Sequence, residues 1–298
     1  MRIIIGTRGS RLAVAQAEYV KQRLEKKYPE DEISLKLIKT RGDRIQSRSL
    51  GEIGGKGVFV REIERALLDG EIQLAVHSMK DMPAEVPEGL VFAKAWERED
   101  PRDVLVLREA SSLENLLENA RIGTGSLRRG IQLKALREDL AIVDIRGNVE
   151  TRLEKMTSQK LDGLVLAAAG LNRLGKASLV TQYLEPEQMI PAPAQGILGI
   201  ELRADMPELL DRMNALSDEN TDRILQAERA FVRIMGGDCS LPAGAFASLL
   251  PDGGISLLAA FGTGEKEQLF RVRVTGKTPE EAAKAAAKRI QEQMEGML

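Results

Sequence analysis

The chain has 298 residues and a formal net charge of -2, from 43 Lys and Arg against 45 Asp and Glu. A chain of that length outgrows one ordinary hydrophobic core, which predicts two or three domains. Balanced charge leaves no global basic field for nucleic acid, and an aromatic content of 3% argues against a base-stacking platform. The single cysteine, Cys239, excludes an internal disulfide, and the single histidine, His77, excludes a multi-histidine metal site, so no metal is expected. No apolar run approaches the length of a membrane span, so no membrane partner is expected. The first residues, Met1-Arg2-Ile3-Ile4-Ile5-Gly6, reach a glycine too early for a signal peptide. They read as a strand, which places the protein in the cytoplasm.

In chain order, Ile3–Ile5 reads as a strand and Ser10–Lys27 as a helix, with Leu12, Ala15, Val20 and Leu24 facing inward and Pro29 ending it. Ile33–Ile38 is a strand, Val58–Leu68 is helical, and Gln73–Val76 is a short strand. Alternation of this kind predicts a mostly parallel sheet covered by helices. The pattern then restarts with a strand end at Arg121–Gly123, a helix over Ser126–Arg137, a strand at Ala141–Ile145, a helix over Val149–Ser158 and a strand at Leu164–Ala167. Both starts run strand, Gly-Thr, Ser, helix, with arginine at the opening: Gly6-Thr7-Arg8-Gly9-Ser10-Arg11, and Gly123-Thr124-Gly125-Ser126-Leu127-Arg128-Arg129. The expectation is two similar α/β domains facing one another across a cleft. Two crossings link them, Trp96–Arg102 and Ile190–Gly196, after which Ile197–Leu202 reads as a strand able to rejoin the first sheet. An amphipathic helix over Asn220–Ile234 opens a third unit. Its strands lie near Ala243–Ser248, Ile255–Phe261 and Gln268–Val274, and its last helix spans Pro279–Gln293. The expected boundaries are 1–96 with 197–216 for the first α/β domain, 102–190 for the second, and 219–298 for a small α+β domain.

The two Gly-Thr turns bear on chemistry. A helix start presents free N–H groups and partial positive charge, and so binds anions. Ser10 and Ser126 suit the cap position, although a serine cap alone is a structural feature. Arginine at a helix start opposes the dipole, and bidentate capture of carboxylate or phosphate gives it a reason. Arg146, Arg152 and Arg173 also fall at strand ends or helix starts, where open α/β sheets bind ligands, while solvated surface arginine is the plain alternative for each. Asp81, in His77-Ser78-Met79-Lys80-Asp81-Met82-Pro83, sits in an apolar loop. A partly desolvated carboxylate there can act as an acid or an ion-pair partner, and a surface Asp–Lys pair is the plainer reading. His77 alone reads as a satisfied structural residue. Cys239 lies in Gly236-Gly237-Asp238-Cys239-Ser240-Leu241-Pro242, loop chemistry that predicts an accessible thiol. The glycine-rich stretch 47–57 lacks P-loop spacing and reads as a flap over a cleft.

Taken together, Thr7–Ala13 with Gln16, Gly54–Phe59, Ala75–Asp81, Ser126–Arg129 with Arg146–Val149 and Arg152, and Gly236–Pro242 resemble the porphobilinogen deaminase family in order and spacing. The resemblance covers essentially the whole chain. It implies two domains like the halves of a type II periplasmic binding protein, and a third that carries the cofactor cysteine. It implies a dipyrromethane cofactor held by a thioether to Cys239, Asp81 as the catalytic carboxylate, and Lys56 and Phe59 in the flap. Arg8, Arg128, Arg129, Arg146, Arg152 and Arg173 would bind acetate and propionate groups, helped by Ser78, Lys80, Thr124, Ser126 and Gln195. It further implies a monomer that condenses four porphobilinogen molecules into a linear tetrapyrrole. The chain departs from the pattern at Gly125, often serine in the family, which predicts one missing side-chain hydrogen bond, and at Asp238, often glycine, which puts a negative charge beside the thiol. Arg11 lies outside the family pattern. Two other classes are a non-enzymatic binding module for a small anion, opposed by the absent signal peptide and the loop cysteine, and a nucleotide-phosphate binder, opposed by the balanced charge and absent P-loop.

Overall fold

The computed structural model describes residues 1–40, 60–83, 85–237, 241–263 and 268–296. Lys56, Phe59, Asp238 and Cys239 therefore lie outside the described residues, together with the whole of the expected flap. The chain divides into two compact units, one of Met1–Arg98 with Ile197–Glu219 and one of Glu99–Gly196 with Asn220–Leu298.

Elements are numbered in chain order. The first unit holds a five-stranded sheet of β1 (Arg2–Thr7), β2 (Glu32–Leu37), β3 (Leu74–Ser78), β4 (Leu90–Phe92) and β10 (Leu198–Arg203), in the order β2-β1-β3-β10-β4. β1 runs parallel to β2 and β3, and β10 runs antiparallel to both β3 and β4. Its helices are α1 (Arg11–Lys27), α2 (Arg61–Leu68) and, after β10, α6 (Pro207–Asn214). Ser10 caps α1 by accepting from the Ala13 N–H, and the C-cap Tyr28 directly precedes Pro29. The buried stripe of α1 is Gln16, Ala17, Val20 and Leu24, so the helix is rotated slightly from the predicted face, and Leu12 and Ala15 are only half-buried. Gln16 turns inward because its amide bonds Ser78.

The second unit repeats this plan. Its α/β sheet comprises β5 (Asp103–Leu107), β6 (Arg121–Gly123), β7 (Ala141–Val143), β8 (Gly163–Ala167) and β9 (Gln182–Leu184), in the order β7-β6-β8-β5-β9. β6 is parallel to β7 and β8, and β5 is antiparallel to β8 and β9. Both sheets are therefore mixed, and in both the antiparallel strand is the one that follows a crossing. This shared order is the arrangement of a type II periplasmic-binding-protein-like domain. The helices are α3 (Leu127–Leu136), α4 (Val149–Ser158) and α5 (Ala168–Arg173), with α3 and α4 capped by Ser126 and Asn148.

The same unit contains an antiparallel meander, β11 (Ala243–Leu249), β12 (Ile255–Thr263) and β13 (Gln268–Gly276), with α7 (Glu219–Ile234) and α8 (Pro279–Glu295). Small side chains let α8 lie close on the sheet: Ala282, Ala283, Ala286, Ala287 and Ile290 form one buried face at helical spacing, packed with Phe231 of α7. This meander has its own core, yet it also packs against the second α/β sheet. Ile131 of α3 approaches Gly262, where a Cβ would stand 2.6 Å from it, and Ile190 closes on Gly244.

Candidate active site

In the first unit, β1 and β3 are neighbours and end at the same edge, so the residues that follow them are brought together. Thr7 closes β1 and donates from its hydroxyl to the Ala13 carbonyl at 3.0 Å, holding the turn that carries Arg8 against α1. Ser78 ends β3, and its hydroxyl accepts from the Gln16 amide at 2.9 Å. A short 3-10 turn over Met79–Asp81 follows. Met79 and Met82 are buried on either side, the Met82 N–H donates to the Met79 carbonyl at 3.2 Å, and Asp81 between them points outward and is exposed. Asp81 thus takes the plainer of its two readings, an exposed turn residue, and not the partly desolvated one. The apolar neighbours turn into the core, and the tight turn leaves the carboxylate in solvent. Lys80 beside it is half-buried. His77 is a buried structural residue, with Nε2 at 3.0 Å from the Glu201 carboxylate of β10.

In the second unit the equivalent edge carries Thr124, Ser126, Arg128 and Arg129. The Ser126 N–H donates to the Thr124 hydroxyl at 3.2 Å, and the Ser126 hydroxyl accepts from the Arg129 N–H at 3.4 Å. Gly125 has no room for a side chain on this backbone, since a Cβ would lie 2.8 Å from the Ile145 carbonyl oxygen and 2.9 Å from Asp144 Oδ1. The turn therefore gains close approach to the loop after β7 where a serine would offer a hydroxyl. That loop carries Arg146, whose Nε donates to Asp144 at 3.1 Å, and leads into α4, where Arg152 Nε donates to the Gly147 carbonyl at 2.8 Å.

Arg128 and Arg129 depart from the expectation of a helix start awaiting an outside anion. Both are buried, and both converge on Asp103, the first residue of β5, which is fully buried. Arg129 donates to Asp103 Oδ1 from Nε at 3.0 Å and from Nη2 at 2.7 Å, while Arg128 Nη1 lies 2.7 Å from Oδ2. Gln195 joins them, its amide donating to Asp103 Oδ1 at 2.9 Å and to the Pro101 carbonyl at 2.7 Å. Burial alone would raise the Asp103 pKa, but the attraction of Arg128 and then Arg129 outweighs it and holds the carboxyl below the ordinary carboxylate range. Burial also pulls the Arg128 guanidinium below the usual arginine value, with Asp103 acting in the opposite sense. Two cations share one anion, so the group keeps a net charge of +1. Asp103 is the residue that sequence reasoning missed. Its signal was an aspartate at the head of an apolar Val-Leu-Val-Leu run after Pro101.

The second crossing ties further expected residues together. Arg128 Nη1 donates to the Ile190 carbonyl at 2.6 Å, and Arg173 Nη2 donates to the Gly196 carbonyl at 2.7 Å. Among the described residues no group of His, Cys, Asp and Glu could hold a metal ion, and no helix is long and apolar enough to cross a membrane.

In each unit, arginines and hydroxyls gather at the strand ends of a mixed α/β sheet, the chemistry of an anion-handling site. The comparisons with known proteins specify it. Residues 3–211 match the family model described as "Porphobilinogen deaminase, dipyromethane cofactor binding domain", and residues 223–295 match "Porphobilinogen deaminase, C-terminal domain". The porphobilinogen deaminase of Lachnospira eligens is 53% identical over 97% of this chain and 99% of its own length. Those of Clostridioides difficile and Bacillus subtilis are each 46% identical, over 99% and 96% of this chain and 99% and 92% of their own. Among solved structures, the methionine-binding protein MetQ aligns with 72% of this chain and 89% of its own at 13% identity and a TM-score of 0.44. The chain belongs to the porphobilinogen deaminase family, and so to a family of transferases.

Proposed function

We propose that this chain condenses four porphobilinogen molecules head to tail, releasing ammonia at each step, into the linear tetrapyrrole hydroxymethylbilane of haem biosynthesis. It would do so in the cytoplasm as a monomer, on a dipyrromethane attached through Cys239. The observation that carries this reading is the end-to-end match to porphobilinogen deaminases, at 53% identity over 97% of the chain for one relative.

The described residues fit such a cofactor. Each pyrrole brings two carboxylates, so the group needs cations and N–H donors. The Arg128–Arg129–Asp103 cluster has a charge of +1 to offer. Ser126 caps the adjoining helix start, whose free N–H groups favour anions. Arg146 and Arg152 lie at the neighbouring loop and helix, and Arg173 at the end of α5. When bound, the dipyrromethane supplies a primer with a free, nucleophilic α-carbon. Arg8, Ser78, Lys80 and Thr124 would help bind pyrrole carboxylates, and Lys56 and Phe59 would belong to the flap.

In each addition the aminomethyl C–N bond of the substrate breaks and ammonia departs. The substrate methylene carbon would then form its new C–C bond to the bound chain, with the displaced proton passing to solvent. Positive charge develops on the substrate pyrrole as the C–N bond breaks. Asp81, exposed at the strand end, would stabilise that charge through its carboxylate. Water finally releases the bilane.

Intact-protein mass tests the assignment. The protein should carry an excess equal to two linked substrate-derived pyrroles and should show further pyrrole increments when porphobilinogen is added. A protein with no excess mass that leaves porphobilinogen unconsumed would be an anion-binding module.

A further inference from the structure

The second crossing, residues 190–196, is the common strut of the arginine site. It receives Arg128 and Gln132 at the Ile190 carbonyl and Arg173 at the Gly196 carbonyl, and it carries Gln195, which bonds Asp103. Its backbone is unusual at Ala194, whose φ of +62 is left-handed in a residue with a Cβ. Such a conformation costs of order 1 kcal/mol or more and persists only where surroundings impose it. Glu228 of α7 imposes it here. This carboxylate is fully buried, and its Oε2 accepts from the Ala194 N–H at 2.6 Å. Its Oε1 accepts from the Ala247 N–H of β11 at 2.9 Å, which ties the crossing to the C-terminal meander. A second tie lies alongside, from the Ala245 N–H to the Pro191 carbonyl at 3.0 Å. A buried carboxylate that accepts main-chain N–H groups from two separate segments fixes their relative position more tightly than apolar contact does.

We propose that Glu228 is a positioning residue for carboxylate binding. By clamping Ala194 it sets Gln195, and through Asp103 it sets the Arg128–Arg129 pair. The proposal rests on the reading that Gln195, Arg128 and Arg129 bind pyrrole carboxylates. The route is continuous: Glu228 to the Ala194 N–H, Gln195 as the next residue, then Asp103, then the two guanidiniums. No local sequence pattern marks Glu228, which sits in an otherwise ordinary amphipathic helix.

Glu228→Gln tests it, because an amide has one acceptor oxygen for the two main-chain donors and must turn its own N–H toward one of them. Parent and variant, each confirmed by intact mass to carry the added pyrroles, are assayed with porphobilinogen well below their melting temperatures. The positioning role predicts a KM raised about tenfold with kcat reduced much less, and a shifted distribution of bound intermediates by mass. A lowered melting temperature with KM and intermediate distribution unchanged would mean that Glu228 only stabilises the fold, and the proposal would be wrong. Should the glutamine variant not fold, Glu228→Asp keeps the charge but retracts it by one methylene, and its KM must still exceed that of the parent. If the parent itself carries no added mass and is inactive, the functional reading fails and takes this inference with it. A loaded, active parent beside an indifferent Glu228→Gln defeats the positioning role alone.

Discussion

Replacing Asp103 with asparagine should destabilise the second unit more than removing either arginine that touches it. The three side chains are buried at 0–5% exposure and carry a net charge of +1. Removing Arg128 leaves a neutral Asp103–Arg129 pair, whereas removing the Asp103 charge leaves two guanidiniums facing each other without an anion. Breaking a buried ion pair from one side costs about 3–5 kcal/mol. For a unit of this size each kcal/mol moves the midpoint by about 2–4 °C, so a fall of roughly 6–20 °C is expected. The pH dependence has a defined sign. The Asp103 carboxyl, with an ordinary value of 3.8, is held lower in the folded protein, so its contribution is complete above about pH 4 and is lost as the pH falls further. Parent and variant stabilities should therefore converge below pH 4. Calorimetry of apo protein, with far-UV circular dichroism as a second probe, measures the effect. A midpoint for Asp103→Asn equal to or above that of Arg128→Leu would refute the argument.

Cys239→Ser should fold and lack the pyrrole pair by intact mass, and normal added mass on that variant would remove Cys239 as the attachment point. Asp81→Asn, first loaded with the tetrapyrrole product and checked by mass, should add single pyrroles on the order of a hundredfold or more slowly, with Asp81→Glu retaining more activity. A near-normal single-addition rate for the asparagine variant would leave Asp81 a turn residue. Gly125→Ser should lower stability by about 1–3 kcal/mol in urea unfolding, because its Cβ meets the Ile145 carbonyl at 2.8 Å, and an unchanged midpoint would show that the loop after β7 yields freely.

Features set by neighbours along the chain were legible in the sequence. The caps Ser10 and Ser126, the bounds of α4 and the paired Gly-Thr turns all depend on contacts within a few residues. β5 was missed, because Pro101 drew the crossing up to Arg102 and a five-residue apolar run has no period of its own. The partners of Arg128 and Arg129 were missed with it. Asp103 is 26 positions from Arg129 and 92 from Gln195, and only the fold brings them together. The outward turn of Asp81 was legible as the plainer of two readings of its loop. Apolar neighbours suggest burial by composition, but a 3-10 turn sends Met79 and Met82 inward and the residue between them out. Glu228 shows the same limit as Asp103, since a glutamate in an amphipathic helix reads as solvated until two main-chain donors from elsewhere reach it.

A ribosome releases β3 and β4 long before the strand that joins them. β4 ends at Phe92, and its partner β10 begins at Leu198. Synthesis at about 5–20 residues per second makes that interval roughly 5–20 s. Meanwhile the second α/β sheet receives its last strand at Leu184 and can close while the first sheet is still open. The half of the chain made first is therefore completed second, and through that interval β3 presents a bare edge to whatever nascent chain or chaperone is near.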